Sequence, residues 1–400
     1  MKDISKYIVT IVTLALLVLL VYGLNGSANA DTDLESVTVG FIYDGDAATP
    51  YTANFERAEN ELKAEYGDKV TIKSINNVPT ENSEESIESL AKDGCDIIFT
   101  NSFGFGTVAK KVAEKYPKIQ FCQATCANAN EAPVLNNYHT FMGEIYEGRY
   151  ISGVVGGMKL KELVDAGTIT EDEAVVGYVG AYPYAEVISG YTAFFLGVRS
   201  VMPDAVMKVK YANTWTDYNT EKKLATELID EGCVLISQHS DTIGPAVACE
   251  EASAKGTTVF HVGYNQSMIG VAPTTSLVSC RINWNPYIVG AVGAAMNGEN
   301  IEEAVKGHVH GNDIGAGFES DWVQLLEVND AITGSEVSNK ADDLIKQFKT
   351  GGIDVFKGNY LGVDPDDPSD TIDLTNGYME NAATSAPQFH YVLKDVIQIE

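Results

Sequence analysis

The chain has 400 residues, 45% hydrophobic and 21% charged, with 36 Gly and 12 Pro, which excludes a disordered or collagen-like protein and leaves length for two domains. Its 27 basic residues face 56 acidic ones, a formal charge of −29, and Arg57, Arg149, Arg199 and Arg281 are the only arginines. So acidic a surface repels phosphate backbones, which argues against a nucleic acid partner.

Lys2 and Lys6 precede an uncharged apolar run from Tyr7 to Leu24, and Ala28-Asn29-Ala30 offers small residues for cleavage. Residues 1–30 therefore read as a signal peptide, or as an N-terminal membrane anchor over residues 7–24 if uncleaved. Either reading places the rest of the chain outside the cytoplasm. Val37–Ile42 then reads as a strand, and Asn54 to Tyr66 as a helix. Ser83 to Lys92 reads as a second helix, with Glu84 and Glu85 favourable in its first turn. Gly94 suits that helix's C-terminus, where a positive φ is needed. Asp96–Phe99 is a short apolar run of the kind buried on both faces.

These elements recur. Gly40, Cys95 and Phe121 return as Gly177, Cys233 and Phe260 at a near-constant offset of 137 to 139 residues. Each copy reads strand, helix, strand, helix, strand, and helical crossovers between strands specify a parallel sheet. Two such lobes predict a cleft, with ligands held at the carboxyl ends of the strands. That singles out the loops Asp44–Thr52, Thr100–Gly106, Ala124–Asn130, Gly180–Glu186, Gln238–Gly244 and Gly263–Ser267. Later, Leu344–Phe348 looks helical and Phe389–Ile399 alternates as a strand would.

Catalytic and metal motifs are incomplete. Gly104-Phe105-Gly106-Thr107-Val108-Ala109 has a dinucleotide-type pattern, but the next strand ends without an acidic residue for a ribose, and a tight turn fits better. His239-Ser240-Asp241 holds triad residue types as sequence neighbours, which cannot form a relay. His308 and His310 could share a strand face, yet no further ligand completes a metal site; solvated or partner-bonded rings are expected. Asp364 to Asp370 is rich in oxygen ligands but lacks EF-hand spacing, and reads as a solvated loop. Cys122 and Cys126 lack a matching pair, and the six cysteines read as buried thiols. No enzyme, cofactor or metal is expected. Tyr51 and Trp215 stand in loops of opposite lobes and could sandwich a flat heterocycle; the competing reading is that both merely pack.

Five stretches carry a likeness to a known family: Phe99-Thr-Asn-Ser-Phe-Gly-Phe105, Ile145-Tyr-Glu-Gly-Arg-Tyr-Ile-Ser-Gly153, Thr214-Trp-Thr-Asp217, Ser237-Gln-His-Ser-Asp241 and Asn283-Trp-Asn-Pro-Tyr287. From about Val37 to Ala304 the chain resembles the basic membrane protein family, extracytoplasmic purine receptors that feed ABC transporters. The resemblance implies an α/β chain with the type I periplasmic-binding-protein fold, two Rossmann-like lobes with parallel sheets around a ligand cleft. The lobes are expected over 37–160 with about 284–330, and 161–283 with about 331–400. It implies a purine nucleobase or nucleoside stacked between Tyr51 and Trp215, and an ABC transporter permease as partner. Edge contacts would come from Asp46 and Thr52, from Asn101, Ser102 and Phe103, and from Glu147, with Asp217, Asp241 and Asn265 completing the wall. Two departures bear on the ligand: Asn265 stands where nucleoside-binding members carry an Asp that grips ribose, and Arg281 and Ile282 straddle the position of a usual Lys. Both favour a free base or another flat guest. No Cys in residues 1–40 offers a lipid anchor. The alternative is a receptor or sensory ectodomain for another small polar ligand, such as a sugar.

Overall fold

Short apolar runs between helix-forming stretches are the raw material of a parallel sheet, and the chain builds two. The computed structural model describes residues 35–400, so the expected leader lies outside the described residues. Strands β1 (Val37–Ile42), β2 (Val70–Ile75), β3 (Ile97–Thr100), β4 (Gln120–Ala124) and β5 (Tyr138–Gly143) alternate with helices α1 (Pro50–Tyr66), α2 (Ser83–Lys92) and α3 (Gly106–Lys115). They pair in parallel in the order β2-β1-β3-β4-β5. After α4 (Tyr146–Asp165) come β6 (Val175–Gly180), α5 (Ala185–Arg199), β7 (Val206–Tyr211), α6 (Tyr218–Asp230), β8 (Leu235–His239), α7 (Gly244–Ser253), β9 (Phe260–Tyr264) and β10 (Ser276–Ile282). Their order, β7-β6-β8-β9-β10, repeats that of the first sheet.

The repeat seen in the sequence is a repeat of one packing contact. A methyl on Gly40 would meet Leu90, Cys95 and Ile98, and one on Gly177 would meet Leu228, Cys233 and Ile236. In each lobe the glycine lets the first strand lie close under the helix that ends at Gly94 (φ +81°) or Gly232 (φ +92°). All six cysteines are free and buried.

The chain then returns to the first lobe through α8 (Asn285–Asn297), α9 (Ile301–Ala304), β11 (His308–His310) and β12 (Asp313–Ala316), which extend its sheet beyond β5. It leaves again for β13 (Val323–Leu325), antiparallel to β10. Three segments thus cross between sheets, near residues 144, 283 and 320, and they are tied together: the Glu144 N–H donates to the Ala316 carbonyl at 2.8 Å and the Asn283 N–H to the Trp322 carbonyl at 2.7 Å. Two stretches grouped by sequence with the first lobe are placed by packing with the second. Helix α4 runs so close to α5 that a methyl on Gly153 would strike the Phe194 carbonyl, and β13 hydrogen-bonds in the second sheet. Helices α10 (Asp330–Thr333) and α11 (Ser335–Phe348) precede a three-stranded sheet of β14 (Leu361–Val363), β15 (Thr371–Asp373) and β16 (Val392–Leu393). Finally β17 (Ile397–Ile399) pairs in parallel with β7. Among the described residues no helix is long and apolar enough to cross a membrane.

Candidate functional site

The carboxyl ends of β1, β3 and β4 face those of β6, β8 and β9 across a cleft of about 370 Å³ including its mouth. The first lobe contributes Asp44, Tyr51, Ser102, Phe103 and Thr125, and the second Glu186, Trp215, His239, Asp241 and Tyr264. The expected pair of aromatics therefore lines one cavity. Pro50 opens α1 four residues earlier than expected, which sets Tyr51 on the helix's first turn. Its hydroxyl donates to the Asn101 carbonyl at 2.5 Å, and its ring packs edge-on against Phe55 and Trp284, with centroids 5.3 and 6.3 Å away. Trp215 is held from the other lobe by Tyr182 and Tyr184, at 5.6 and 6.3 Å. Phe103 meets Tyr184 across the mouth at 5.8 Å.

Two asparagines aim two carboxylates. Asn101 Nδ2 donates to Asp44 Oδ1 at 3.0 Å while Asn101 Oδ1 accepts from the Asp44 N–H at 3.1 Å. Asn265 Nδ2 donates to Asp241 Oδ1 at 2.9 Å, and the Asn265 carbonyl accepts from Asn54 of α1 at 3.0 Å, a bond between lobes. Asn265 takes a positive φ of 66°, which Asn tolerates better than most residues.

Behind Tyr264 lies a cation. The Arg149 guanidinium carbon sits 3.7 Å from the Tyr264 ring centroid and Nη1 donates to the Gln238 carbonyl at 2.7 Å, but Nε and Nη2 have no protein partner. His239 likewise has no hydrogen bond at either ring nitrogen; its Nε2 lies 3.6 Å from Glu186 Oε1. Burial, reinforced by Arg149, pushes His239 well below the usual imidazole range, so the ring is neutral. Burial raises Glu186 to about 7 against the pull of Arg149. Asp241 rises well above the carboxylate range, first from burial and then from Asp44, Glu221 and Glu186. Buried polar groups left open cost free energy unless something completes them. In a cleft, that something is a guest rich in hydrogen-bonding edges.

Four expected contacts fall elsewhere. Asp46 is half-buried outside the cleft lining and occupied by Asn77 Nδ2 at 3.0 Å and the Ala48 N–H. Thr52 points into the core, one position along the helix from Tyr51, and is fully buried. Asp217 caps α6, accepting from the N–H groups of Asn219 and Thr220. Glu147, in the first turn of α4, accepts from the Phe318 N–H at 2.8 Å and lines a separate cavity beside the crossing segments. Asn101 and Asn265 position neighbours rather than line the cavity. Asp44, Thr125 and Glu186 carry no motif of their own, and His239 reads in the sequence only as an incomplete triad neighbour, yet these residues and Tyr264 each stand in one of the six loops that follow the strands. The glycines of the dinucleotide-like pattern serve packing: a methyl on Gly106 would run into Cys126 and one on Gly104 into Thr80. His308 is partner-bonded, its Nδ1 2.6 Å from Glu144 Oε1.

Two sheets of repeated topology, joined by three crossings around a polar and aromatic cleft, define a solute receptor of the periplasmic-binding-protein class. The fold is shared by an ABC transporter solute-binding protein of Aeropyrum pernix K1 (TM-score 0.64, 15% identity, 79% of this chain and 92% of that one). It is also shared by one of Conexibacter woesei DSM 14684 (TM-score 0.60, 17% identity, 80% and 98%). Residues 36–354 match the family model of PnrA-like ABC transporter substrate-binding proteins, and the chain belongs to that family. It is 34% identical over 277 residues to a protein of Brucella abortus named as purine-binding, covering 69% of this chain and 72% of that one. It is 30% identical over 282 residues to a putative ABC transporter glucose-binding protein of Haloferax volcanii, covering 70% and 64%. Membership implies an extracytoplasmic protein that carries a small molecule to a transporter permease; the family is not an enzyme class.

Proposed function

We propose that the chain binds a purine nucleobase or nucleoside between its lobes and delivers it to an ABC permease. The observation that carries this reading is the convergence of Tyr51 and Trp215, from opposite lobes, on one cavity whose edges are carboxylates and a neutral imidazole. Two aromatic faces suit a flat heterocycle. Asp44 and Asp241, each aimed by an asparagine, are acceptors for an exocyclic amine or for ribose hydroxyls. Asn265 is committed to Asp241, so Asp241 takes the acidic role that Asn265 cannot supply. The burial that raises Glu186 and Asp241 also disfavours a further anion in the cleft, so the nucleoside should bind and its 5′-monophosphate should not.

A purine panel in thermal-shift and calorimetric titrations tests this. Adenine, adenosine, guanosine or inosine should stabilise the protein and adenosine monophosphate should leave it unchanged. Silence across the purines would remove the reading. A response to hexoses alone would establish the second reading, a sugar receptor, which aromatic faces and carboxylate edges also fit.

A further inference from the structure

We propose that Asp364, Asp370 and His390 bind a divalent transition ion of the Zn²⁺ type, joining the hairpin between β14 and β15 to the segment that enters β16. One ligand atom from each residue lies within 4.8 Å of the others. His390 Nε2 is 3.7 Å from Asp364 Oδ2 and 4.0 Å from Asp370 Oδ2. Both gaps are too long for a hydrogen bond.

Each residue has its other polar atom already fixed. His390 Nδ1 donates to the Gln388 carbonyl at 2.8 Å, so in the neutral ring Nε2 carries the lone pair. Asp364 Oδ1 accepts from the Asp366 N–H at 2.8 Å, and Asp370 Oδ1 accepts from the Tyr391 hydroxyl at 3.2 Å. The three free atoms are those that face one another. Gln388 is itself anchored, its N–H donating to buried Glu380 at 2.7 Å, and Tyr391 stacks on the His390 ring at 4.2 Å. Orientation of a ligating imidazole through its other nitrogen is how protein sites fix metal ligands.

A tetrahedral ion with bonds of about 2.1 Å holds its ligand atoms ~3.4 Å apart, so the two gaps from His390 need close by only about 0.3 and 0.6 Å, and the carboxylate pair, within 4.8 Å, closes with them. One imidazole and two carboxylates suit zinc, nickel or cobalt rather than calcium. The side chains are 18%, 47% and 41% exposed in the order Asp364, Asp370, His390, which leaves the remaining position to water. A plain ion pair between protonated His390 and the carboxylates is the rival, and it makes no response to metal. The proposal is independent of the cleft's ligand.

The full chain, stripped with chelator, is titrated with zinc chloride at pH 7.5 by calorimetry and followed by thermal melting. One ion should bind per chain with a micromolar dissociation constant and raise the melting midpoint. His390→Ala should weaken binding by about tenfold or more and remove the zinc-dependent rise of the midpoint, whatever the lost Gln388 bond costs in chelator. The double variant Asp364→Asn, Asp370→Asn, which keeps the imidazole, should do the same, and zinc should shift the His390 ring nitrogen resonances of the unaltered chain. No binding at about 1 mM zinc, nickel or cobalt, or undiminished binding in both variants, would overturn the site.

Discussion

Tyr51 and Trp215 owe their role to what lies behind them. Tyr51 is braced by Phe55 and Trp284 and Trp215 by Tyr182, so each ring loses little freedom when a guest arrives. Stacking of a base on an aromatic ring is worth about 1–3 kcal/mol. Tyr51→Ala and Trp215→Ala should therefore each weaken purine binding roughly 5- to 150-fold, read by calorimetry; wild-type affinity in both would discard the sandwich. Glu186 adds a dependence on pH. Burial raises its carboxyl from an ordinary 4.5 to about 7, so the folded state holds the proton more tightly than the unfolded one. Its contribution to stability is present below 4.5 and lost as pH rises through 7. A guest that donates a hydrogen bond to Glu186 selects the ionised form. Binding near pH 6.5 should then release a proton and tighten toward pH 8, and Glu186→Gln should flatten both effects, measured by calorimetry in buffers of different ionisation heat.

Among the elements, the α4–α5 pair is the contact most sensitive to a single methyl. A Cβ on Gly153 would strike the Phe194 carbonyl and one on Gly197 the Tyr150 carbonyl, a reciprocal approach of two backbones. Helix propensity alone favours Ala over Gly by about 1 kcal/mol; overpacking rigid backbone costs about 1–3 kcal/mol or more. The second term wins, so Gly153→Ala and Gly197→Ala should each lower the melting midpoint by several degrees in a circular dichroism melt. A rise would show that the helices separate freely. Helix α2 was legible to the residue, because its acidic first turn and following glycine are local signals. The late strand was not. Asp395 takes a φ of 65° and breaks the alternating run into β16 and β17, which enter different sheets.

For the whole molecule, the crossing segments carry the titrations that couple the lobes to pH. His308, hydrogen-bonded to Glu144, is raised to about 9. Glu147 is raised to about 8 by burial and by Glu144 and Glu319, against the Phe318 N–H. Both are raised groups. The contribution of His308 is full below its ordinary 6.5 and lost as pH climbs through 9; that of Glu147 is full below 4.5 and lost through 8. The melting midpoint should therefore fall between pH 6.5 and 9 in scanning calorimetry, and His308→Gln should make the fall shallower. A flat profile in the parent protein would detach these groups from stability.

The two-lobed repeat, the parallel sheets, the helices between them and the six loops that hold the cleft residues follow from the sequence by itself. Apolar runs, helix ends and positive-φ glycines act over a few residues and leave their mark in order along the chain. Only the tertiary structure decided which side chain of each loop faces the gap. It turned Tyr51 inward and Thr52 into the core on one helical turn, spent Asp217 on a helix cap, and brought Arg149 behind the ring of Tyr264 and Glu186 to the cleft beside His239. It also decided that α4 and β13 join the second lobe. Those outcomes depend on pairings between residues far apart in the chain, and a local pattern carries no record of which distant surface it will meet.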